Sequence, residues 1–265
     1  MKLYKLLGIT VLLFIFTQCR HKDIEADGNT AIRSNLVIRL IEQLENGTRK
    51  LYLSGSTKTI YPCANYSIKT AFVTSKGGFK INYKEIIAPT ICLTSFGAAS
   101  SGIELGTLSN GNYDLQLNGP NWVNKGTLKV TTTEFELIFS DIKGIEIPTR
   151  ILKRVPPNTY WGTIGYHKIN SLAKVDSLVD KMKQNGAIFQ KQAPGDYRYY
   201  QIDSNGNIMD PELSGYYFVR SIIFQLDGNE DRIRGLIRTD GIAEKDNLSI
   251  SIYNDKGERI DNWSK

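Results

Sequence analysis

The chain has 265 residues, of which 41% are hydrophobic and 23% are charged, with 23 Gly, 8 Pro and 3 Cys. These values are those of an ordinary globular protein and exclude the collagen-like, coiled-coil, disordered and disulfide-scaffold classes. At roughly 150 residues per domain, the length predicts two domains, each large enough to bury its own core. The composition does not specify an activity.

Residues 1–18 have the pattern of a secretion signal. Lys2 and Lys5 supply a positive start, and Leu6 to Phe16 is an almost unbroken apolar run. Such a run has about the length of a signal-peptide core and is too short to span a bilayer as a helix. It is followed by Thr17-Gln18-Cys19, where an ordinary signal has small residues. Residues 1–18 are therefore predicted to be a signal peptide.

A cysteine at this position resembles the leader of bacterial lipoproteins, in which that cysteine is diacylated on its sulfur and becomes the first mature residue. Thr17 and Gln18 depart from the small residues usual in that family, and Phe16 stands where leucine is common. A plain signal peptide with an unrelated cysteine is the alternative. The resemblance implies a lipid on Cys19 and a polar tether over residues 19–33. At about 0.8 kcal/mol per buried methylene, two acyl chains would hold the protein on a membrane permanently.

The lipid anchor makes a membrane the first expected partner. We therefore expect an outer-membrane lipoprotein of the cell envelope, on either its periplasmic or its outer side. Removal of the leader leaves 31 basic against 27 acidic residues, a formal charge of +4. The basic residues occur singly or in pairs such as Lys153-Arg154, which does not predict a nucleic-acid partner.

Two further cysteines, Cys63 and Cys92, remain after Cys19 is assigned to lipid. An even number in an exported chain predicts a disulfide between them, and two buried thiols are the alternative. The pair lies 29 positions apart, so the chain-entropy model gives roughly 3.6 kcal/mol of stabilisation. The histidines His21 and His167 fall into no ligand spacing, so neither a metal nor a cofactor is predicted.

The first half of the mature chain consists of short alternating runs separated by turn residues, which predicts a β-sandwich domain over residues 34–156. The passage Leu108–Leu117, with its Asn110-Gly111 turn, leads to Gly126–Val130. It resembles the last hairpin of immunoglobulin-like modules in exported bacterial proteins. This resemblance implies an immunoglobulin-like sandwich and no activity.

The second half, residues 157–265, begins after the Pro156-Pro157 pair, where we place the domain boundary. Its periodicity predicts strands and helices in the order β-α-β-β-α-β, which is the ferredoxin-like sequence of elements of an α+β domain. The predicted elements are strand Tyr160–Tyr166, helix Ser171–Asn185, strand Tyr197–Ile202, strand Tyr216–Leu226, helix Asn229–Thr239 and strand Leu248–Tyr253.

In a ferredoxin-like domain both helices cover one face of the sheet, and the first and third strands lie at its centre. Alternation places Tyr160, Ile164 and Tyr166 on one face of the first strand and Trp161 on the other. Both faces of the central strands are therefore apolar, and a face of that kind is rarely left in water. We expect the sandwich domain or a partner to cover the second face.

The strings that mark common catalytic sites do not occur in the sequence, among them Gly-x-Ser-x-Gly, the Walker motif and His-Glu-x-x-His. His167 follows the first strand of the second half, and a lone histidine there favours a structural role. Asp203–Asp210 resembles a calcium loop superficially, but Ile208 stands where that loop has glycine and Ser214 where it has glutamate. No catalytic residue and no metal site are predicted.

The aromatic residues give the one indication of a ligand, and Trp122, Trp161 and Trp263 are the candidate ligand-binding side chains. Flat rings near Asn and Asp suit a sugar, because the rings pack on its C–H faces while the polar groups bond its hydroxyls. Large rings also simply fill interfaces.

Three hypotheses about function follow. The first is a non-catalytic lipoprotein of the cell envelope that serves as a recognition or scaffolding module for a glycan or a membrane-protein partner. The second is an exported hydrolase of polysaccharide or peptide, which needs a pocket holding two carboxylates, or a serine beside His167. The third is a surface-fibre subunit, which needs an open sheet edge that accepts a strand.

Overall fold

The computed structural model describes residues 30–210, 218–226, 228, 230–243 and 248–263. Cys19, the predicted signal peptide over residues 1–18 and most of the predicted tether over residues 19–33 lie outside the described residues. Strands make up 53% and helices 12% of the part of the chain that the structure describes, which is therefore mostly β. No described helix is long and apolar enough to cross a membrane.

The first sheet has eleven strands in the order β10-β2-β3-β6-β4-β5-β7-β8-β9-β11, and β1 pairs with β5. The strands are β1 Thr30–Ala31, β2 Leu36–Glu45, β3 Thr48–Tyr61, β4 Ser67–Ser75, β5 Gly78–Ile87, β6 Gly97–Gly106, β7 Gly111–Asn118, β8 Val123–Val130, β9 Glu134–Phe139, β10 Ile145–Glu146 and β11 Ile151–Lys153.

This large sheet curls over on itself, which fits an all-β sandwich. Strands β4 and β6 are joined through a single residue pair, Ser67 with Ser100, so the sheet can fold about this seam. Inward-facing side chains on both sides of the seam share one core: Ile38 on β2 and Leu53 on β3 pack in the same buried cluster as Leu117 on β7. The alternation along each strand supplies this core, because every second side chain points inward.

The second sheet has four strands in the order β15-β12-β16-β17. A two-stranded sheet, β13 with β14, lies between its elements in the chain. The elements are β12 Thr159–Tyr166, α1 Leu172–Gln184, β13 Gly195–Asp196, β14 Gln201–Ile202, β15 Phe218–Gln225, α2 Glu230–Ala243, β16 Leu248–Asn254 and β17 Arg259–Asp261.

Helix α1 buries the apolar stripe that its sequence predicts. Val175, Leu178, Val179 and Met182 are buried, and they pack in one cluster with Tyr160 and other residues of the second sheet. The helix stops where expected, because Gly186 has a φ of +96° that suits glycine after a helix C-terminus.

The predicted second strand of the second half does not join this sheet. Within Tyr197–Ile202, Gln201–Ile202 forms β14, which pairs with β13. Tyr197 and Tyr200 are buried on the face of the sheet that carries Trp161. Burial of two large rings on an apolar face outweighs the few backbone hydrogen bonds that pairing at the edge would add.

The strand order differs from the ferredoxin-like expectation for the same reason. Strand β15, the predicted third strand, lies at the edge of the sheet, and β12 and β16 lie inside it. Beyond β15 the structure has an isolated bridge between Ile188 and Gln225, where the ferredoxin-like order requires a full edge strand. The ferredoxin-like arrangement of the second half is therefore not confirmed.

Candidate functional site

A cleft of about 740 Å³ lies between strand β2 of the first sheet and the second sheet. The turn between β13 and β14 and the segment that follows β14 complete its walls. It is lined by Arg39, Leu40, Ile41, Trp161, Gly162, Thr163, Asp196, Arg198, Tyr199, Tyr200, Gln201, Ile208, Met209, Asp210, Ser221, Ser251 and Tyr253.

The floor of the cleft is the junction where the two sheets pack together. Trp161 and Ile223, on the second sheet, are buried against Leu44 of β2 and Val155 of the connection between the sheets. Tyr197, Tyr200 and Ile202 complete this cluster. The second face of the sheet is thus covered in part by the first sheet, as its apolar character predicted, and in part by the chain's own tyrosines.

Four aromatic rings are grouped in the cleft. Trp161 is 5% exposed, and its ring centroid lies 5.4 Å from those of Tyr199 and Tyr200 and 6.4 Å from that of Tyr253. Tyr199 is 40% and Tyr253 39% exposed. Trp161 therefore supports two exposed rings from below and offers little surface of its own.

Tyr253 and Trp161 meet because they are directly opposite each other in the pairing of β12 with β16. Cross-strand neighbours of this kind have Cβ atoms about 4.5–5.5 Å apart, so large side chains on one face must touch. The strand register thus fixes the position of the Tyr253 ring.

Tyr199 is held by the turn between β13 and β14. Arg198 has a φ of +70°, and its N–H donates to the Asp196 carboxylate at 2.7 Å. The N–H of Leu44 donates to the Tyr199 hydroxyl at 2.8 Å. Burial raises the pKa of Tyr199, so the hydroxyl keeps its proton while it accepts this bond. The strained turn and the bond to β2 together fix the second exposed ring.

Cationic, anionic and neutral polar side chains surround the rings. Arg39 and Arg198 are exposed cations, and Gln201 and Asp210 are exposed on the same cleft. One Asp210 oxygen accepts the N–H of Ser221 at 2.9 Å, which positions the carboxylate. The cleft therefore combines apolar rings with hydrogen-bond donors and acceptors, as sites for polar small molecules do.

A buried carboxylate lies behind the cleft at the junction. Glu42 is 1% exposed, and its nearest cations are Arg154 Nε at 3.6 Å and Arg49 Nη1 at 3.8 Å. These distances exceed a hydrogen bond, so the arginines act on the carboxylate through charge. The Val155 N–H donates to it at 3.4 Å. Burial raises the pKa of Glu42, and the two arginines and this hydrogen bond oppose the rise.

Hydrogen bonds and a close backbone contact in the same region join the two sheets. Arg49 donates hydrogen bonds to the Val155 carbonyl and, at 3.2 Å, to the Asp255 carboxylate. The N–H of Gly47, in the turn between β2 and β3, donates to the Lys256 carbonyl at 2.9 Å. A β-carbon at Gly257 would lie 2.2 Å from the Leu44 carbonyl oxygen, so only glycine allows this approach. The walls of the cleft are therefore held in one relative position.

The structure does not bring the three candidate tryptophans together. Trp161 lies in the cleft, whereas Trp122 is half-buried against the first core, 6.2 Å from the Tyr83 ring. Trp263 is half-exposed, and its indole N–H donates to the Ile250 carbonyl at 3.2 Å. Neither Trp122 nor Trp263 lines the cleft. The exposed rings, Tyr199 and Tyr253, were not among the residues predicted from sequence, although the pairing of the two predicted strands places Tyr253 beside Trp161.

The other sequence-predicted residues lie away from the cleft. Cys63 and Cys92 form a disulfide, with an S–S distance of 2.08 Å. Asp203 holds a tight turn, in which it accepts the N–H groups of Asn205 and Asn207. The hydrogen bond from Asn207 is the main cause of a lowered Asp203 pKa. His167 is exposed just after β12 and is not part of the cleft lining. Among the described residues no group of three metal-binding side chains could hold a metal ion.

Comparison of the chain with family models, with curated proteins and with solved structures finds no match.

Proposed function

We propose that this protein is a lipoprotein of the cell envelope, anchored through Cys19, that recognises a glycan in the cleft between its two sheets without transforming it. The observation that carries the proposal is the pair of exposed rings, Tyr199 and Tyr253, that both lie beside buried Trp161. The lipid anchor rests on the resemblance of the leader to bacterial lipoproteins.

The chemistry of the cleft suits a sugar better than an apolar ligand. Sugar rings present C–H faces that pack on aromatic rings, and Tyr199 and Tyr253 are two such rings held in fixed positions. The hydroxyls of a sugar need both donors and acceptors, which Arg39, Gln201 and Asp210 supply at the cleft wall. A volume of about 740 Å³ is within the usual range of small-molecule sites.

We further propose that the two halves are variants of the immunoglobulin-like and ferredoxin-like folds. In the second half β12 pairs antiparallel with both β15 and β16, as the first strand of a ferredoxin-like sheet does with the third and fourth. Helices α1 and α2 follow β12 and β15, as that fold requires. The edge strand beyond β15 is replaced by the tyrosine segment that packs on the face.

The test of recognition is binding to an array of envelope polysaccharides, with Tyr253→Ala as the variant. Loss of one stacking ring is expected to weaken binding about tenfold, from a stacking contribution of about 1.5 kcal/mol. Phe72→Ala is the matched control, because Phe72 is 36% exposed on β4 of the first sheet and should leave affinity unchanged. Equal affinities of wild type and Tyr253→Ala, or no binding by folded wild type, would remove the proposal.

The exported-hydrolase alternative has one supporting observation: Asp196 and Asp210 both line the cleft. Each already accepts a backbone N–H, which gives it a structural task. Incubation of wild type with any polysaccharide it binds decides between the two. Turnover that is lost in Asp210→Asn would establish the hydrolase, and stable binding without turnover supports recognition alone.

The anchor is tested separately. Cys19→Ser should move the protein from the membrane fraction to the soluble fraction, and the mass of the mature wild-type terminus should include acyl chains. An unmodified wild-type terminus would overturn the anchor and leave the cleft hypothesis standing.

A further inference from the structure

One end of the first sheet carries a cluster of exposed apolar side chains that the cleft does not use. We call it the apolar tip and define it by four residues, Ile60, Ile91, Leu93 and Phe96. Ile91 and Phe96 are each 78% exposed, and Ile60 and Leu93 are more than half exposed. Isolated exposed apolar residues are common, but four at one end of a sheet are a patch that needs an explanation.

The tip is held rigidly. Ile91, Leu93 and Phe96 lie on the loop between β5 and β6, which the disulfide from Cys92 ties to Cys63. The Asn65 side chain fixes the same loop on both sides of Cys92. Its amide donates to the Ile91 carbonyl at 2.7 Å, and its oxygen accepts the Leu93 N–H at 3.2 Å. The disulfide and the two Asn65 hydrogen bonds therefore hold the loop in a conformation that exposes these apolar side chains.

The tip is formed by two stretches of sequence that contain no charged residue. The two stretches that form it, residues 59–68 and 86–103, contain no Asp, Glu, Lys or Arg over ten and eighteen positions, in a chain that is 23% charged. Just behind the tip the rings of Tyr61 and Tyr66 stack with centroids 4.6 Å apart. An uncharged tip backed by tyrosines has the composition of the membrane–water interface.

The start of the described chain lies at the same end. Strand β1 pairs antiparallel with β5, with Thr30 opposite Ile86 and Ala31 opposite Glu85. Ile86 is the last residue but one of β5, and the loop that carries Ile91 follows this strand directly. Residues 19–29 then separate Cys19 from Thr30, and eleven residues reach at most about 40 Å. The tether that carries the proposed lipid therefore joins the described chain at the end of the sheet that carries the tip.

We propose that the apolar tip enters the surface of the membrane to which Cys19 is anchored. The lipid and this loop then attach the protein to the bilayer together. The inference rests on the proposed anchor. It adds an orientation, because the turn between β2 and β3, which joins the second sheet through Gly47 and Lys256, lies at the opposite end of those strands from Ile60. The cleft is then directed away from the bilayer.

The first experiment uses the acylated chain in vesicles of phosphatidylethanolamine and phosphatidylglycerol. Phe96→Trp should give a blue-shifted emission that brominated lipid quenches, measured against the wild-type chain with its native tryptophans. Ile169→Trp is the matched control, because Ile169 is 63% exposed just after β12 and should show neither effect. Vesicle-bound protein in which Phe96→Trp is as unquenched as the control would overturn the proposal while leaving the anchor intact.

The second experiment removes the anchor, so that failure of the anchor cannot be confused with failure of the tip. The Cys19→Ser chain should still partition weakly into the same vesicles, and Ile91→Ser and Phe96→Ser should each lower its partition coefficient about tenfold. Far-UV circular dichroism and the intact disulfide report that the variants are folded. Partitioning that is absent, or equal in all these chains, would overturn the proposal.

Sedimentation of the same variants tests whether a second copy of the chain covers the tip instead of a membrane. A wild-type dimer that Phe96→Ser turns into a monomer would assign the tip to a second copy of the chain and overturn the membrane role. Monomers throughout support the membrane.

Discussion

The cleft and the apolar tip both expose large apolar side chains, and they are built differently. In the cleft the exposed side chains are tyrosine rings on a buried tryptophan, with charged and amide groups beside them. At the tip the exposed side chains are Ile60, Ile91, Leu93 and Phe96, in stretches with no charge. The arrangement in the cleft sets both the distance and the direction of each contact with a bound molecule, whereas the arrangement at the tip sets neither.

This difference shows how exposed apolar surface can serve two purposes. A ring positioned by hydrogen bonds, as Tyr199 is through Leu44, can select among ligands by shape and polarity. An aliphatic side chain contributes in proportion to the area that leaves water, whatever covers it. Rigidity serves both, since it removes the entropy cost of ordering the surface when it is covered.

The largest effect is expected at Trp161, the ring that supports the cleft. Trp161→Ala removes a buried ring shared by both sheets and should lower the free energy of unfolding by about 3–5 kcal/mol. Urea denaturation measures this loss. Trp263→Ala is the control, because half of the Trp263 side chain is exposed and its loss should cost much less. Equal losses would show that the junction contributes no more than the surface.

The next effect concerns the disulfide beneath the tip. Cys63→Ala together with Cys92→Ala should destabilise the fold by about 3.6 kcal/mol, as expected for a loop of this length. Affinity for any cleft ligand should stay unchanged, since the bond lies at the far end of the first sheet. A matching loss of affinity would contradict the separation of the two surfaces.

The free energy of unfolding should depend on pH through Glu42 at the junction. Burial raises the pKa of Glu42 in the folded protein above its ordinary value, so its protonated form favours folding. Its contribution to stability should therefore be fully present below the ordinary glutamate pKa and fall as the pH rises through the folded value. Urea denaturation of wild type and Glu42→Gln from about pH 4 to pH 8 measures it as the difference between the two curves. A parallel pair of curves would show that the burial of this carboxylate has no effect on its titration.

The smallest effect on stability is expected at the tip itself. Ile91→Ser should change the free energy of unfolding by no more than about 0.5 kcal/mol, because the residue is 78% exposed. Thermal denaturation in the absence of vesicles measures it. A larger loss would mean that Ile91 packs within the fold, which would remove the argument that it is held out for another surface.

Much of the fold follows from periodicity in the sequence. The alternation that separates Trp161 from Tyr160 and Ile164 is the one seen in the two cores, and the stripe of α1 is buried as its spacing predicts. The placement of Tyr197–Ile202 could not be predicted in this way. Its alternation is equally compatible with an edge strand and with a segment across a face, and the choice depends on the area that Tyr197 and Tyr200 bury.

The site was harder to predict than the fold, for a related reason. Trp161 could be found as a large residue on an apolar face, but Tyr199 reaches it through a turn with a left-handed Arg198. Arg39 arrives from a strand that is distant in the sequence. Composition identifies aromatic residues, whereas only the packing of the two sheets groups them.

The shared junction has a consequence for any attempt to divide the molecule at Pro156-Pro157. Separate expression of either piece would expose an apolar surface to water, which includes Leu44 on the first piece and Trp161 on the second. It would also break the ion pair between Asp255 and Arg49. Calorimetry of the intact chain should therefore record one melting event for the pair, and workers seeking crystals or binders should keep both pieces in a single polypeptide.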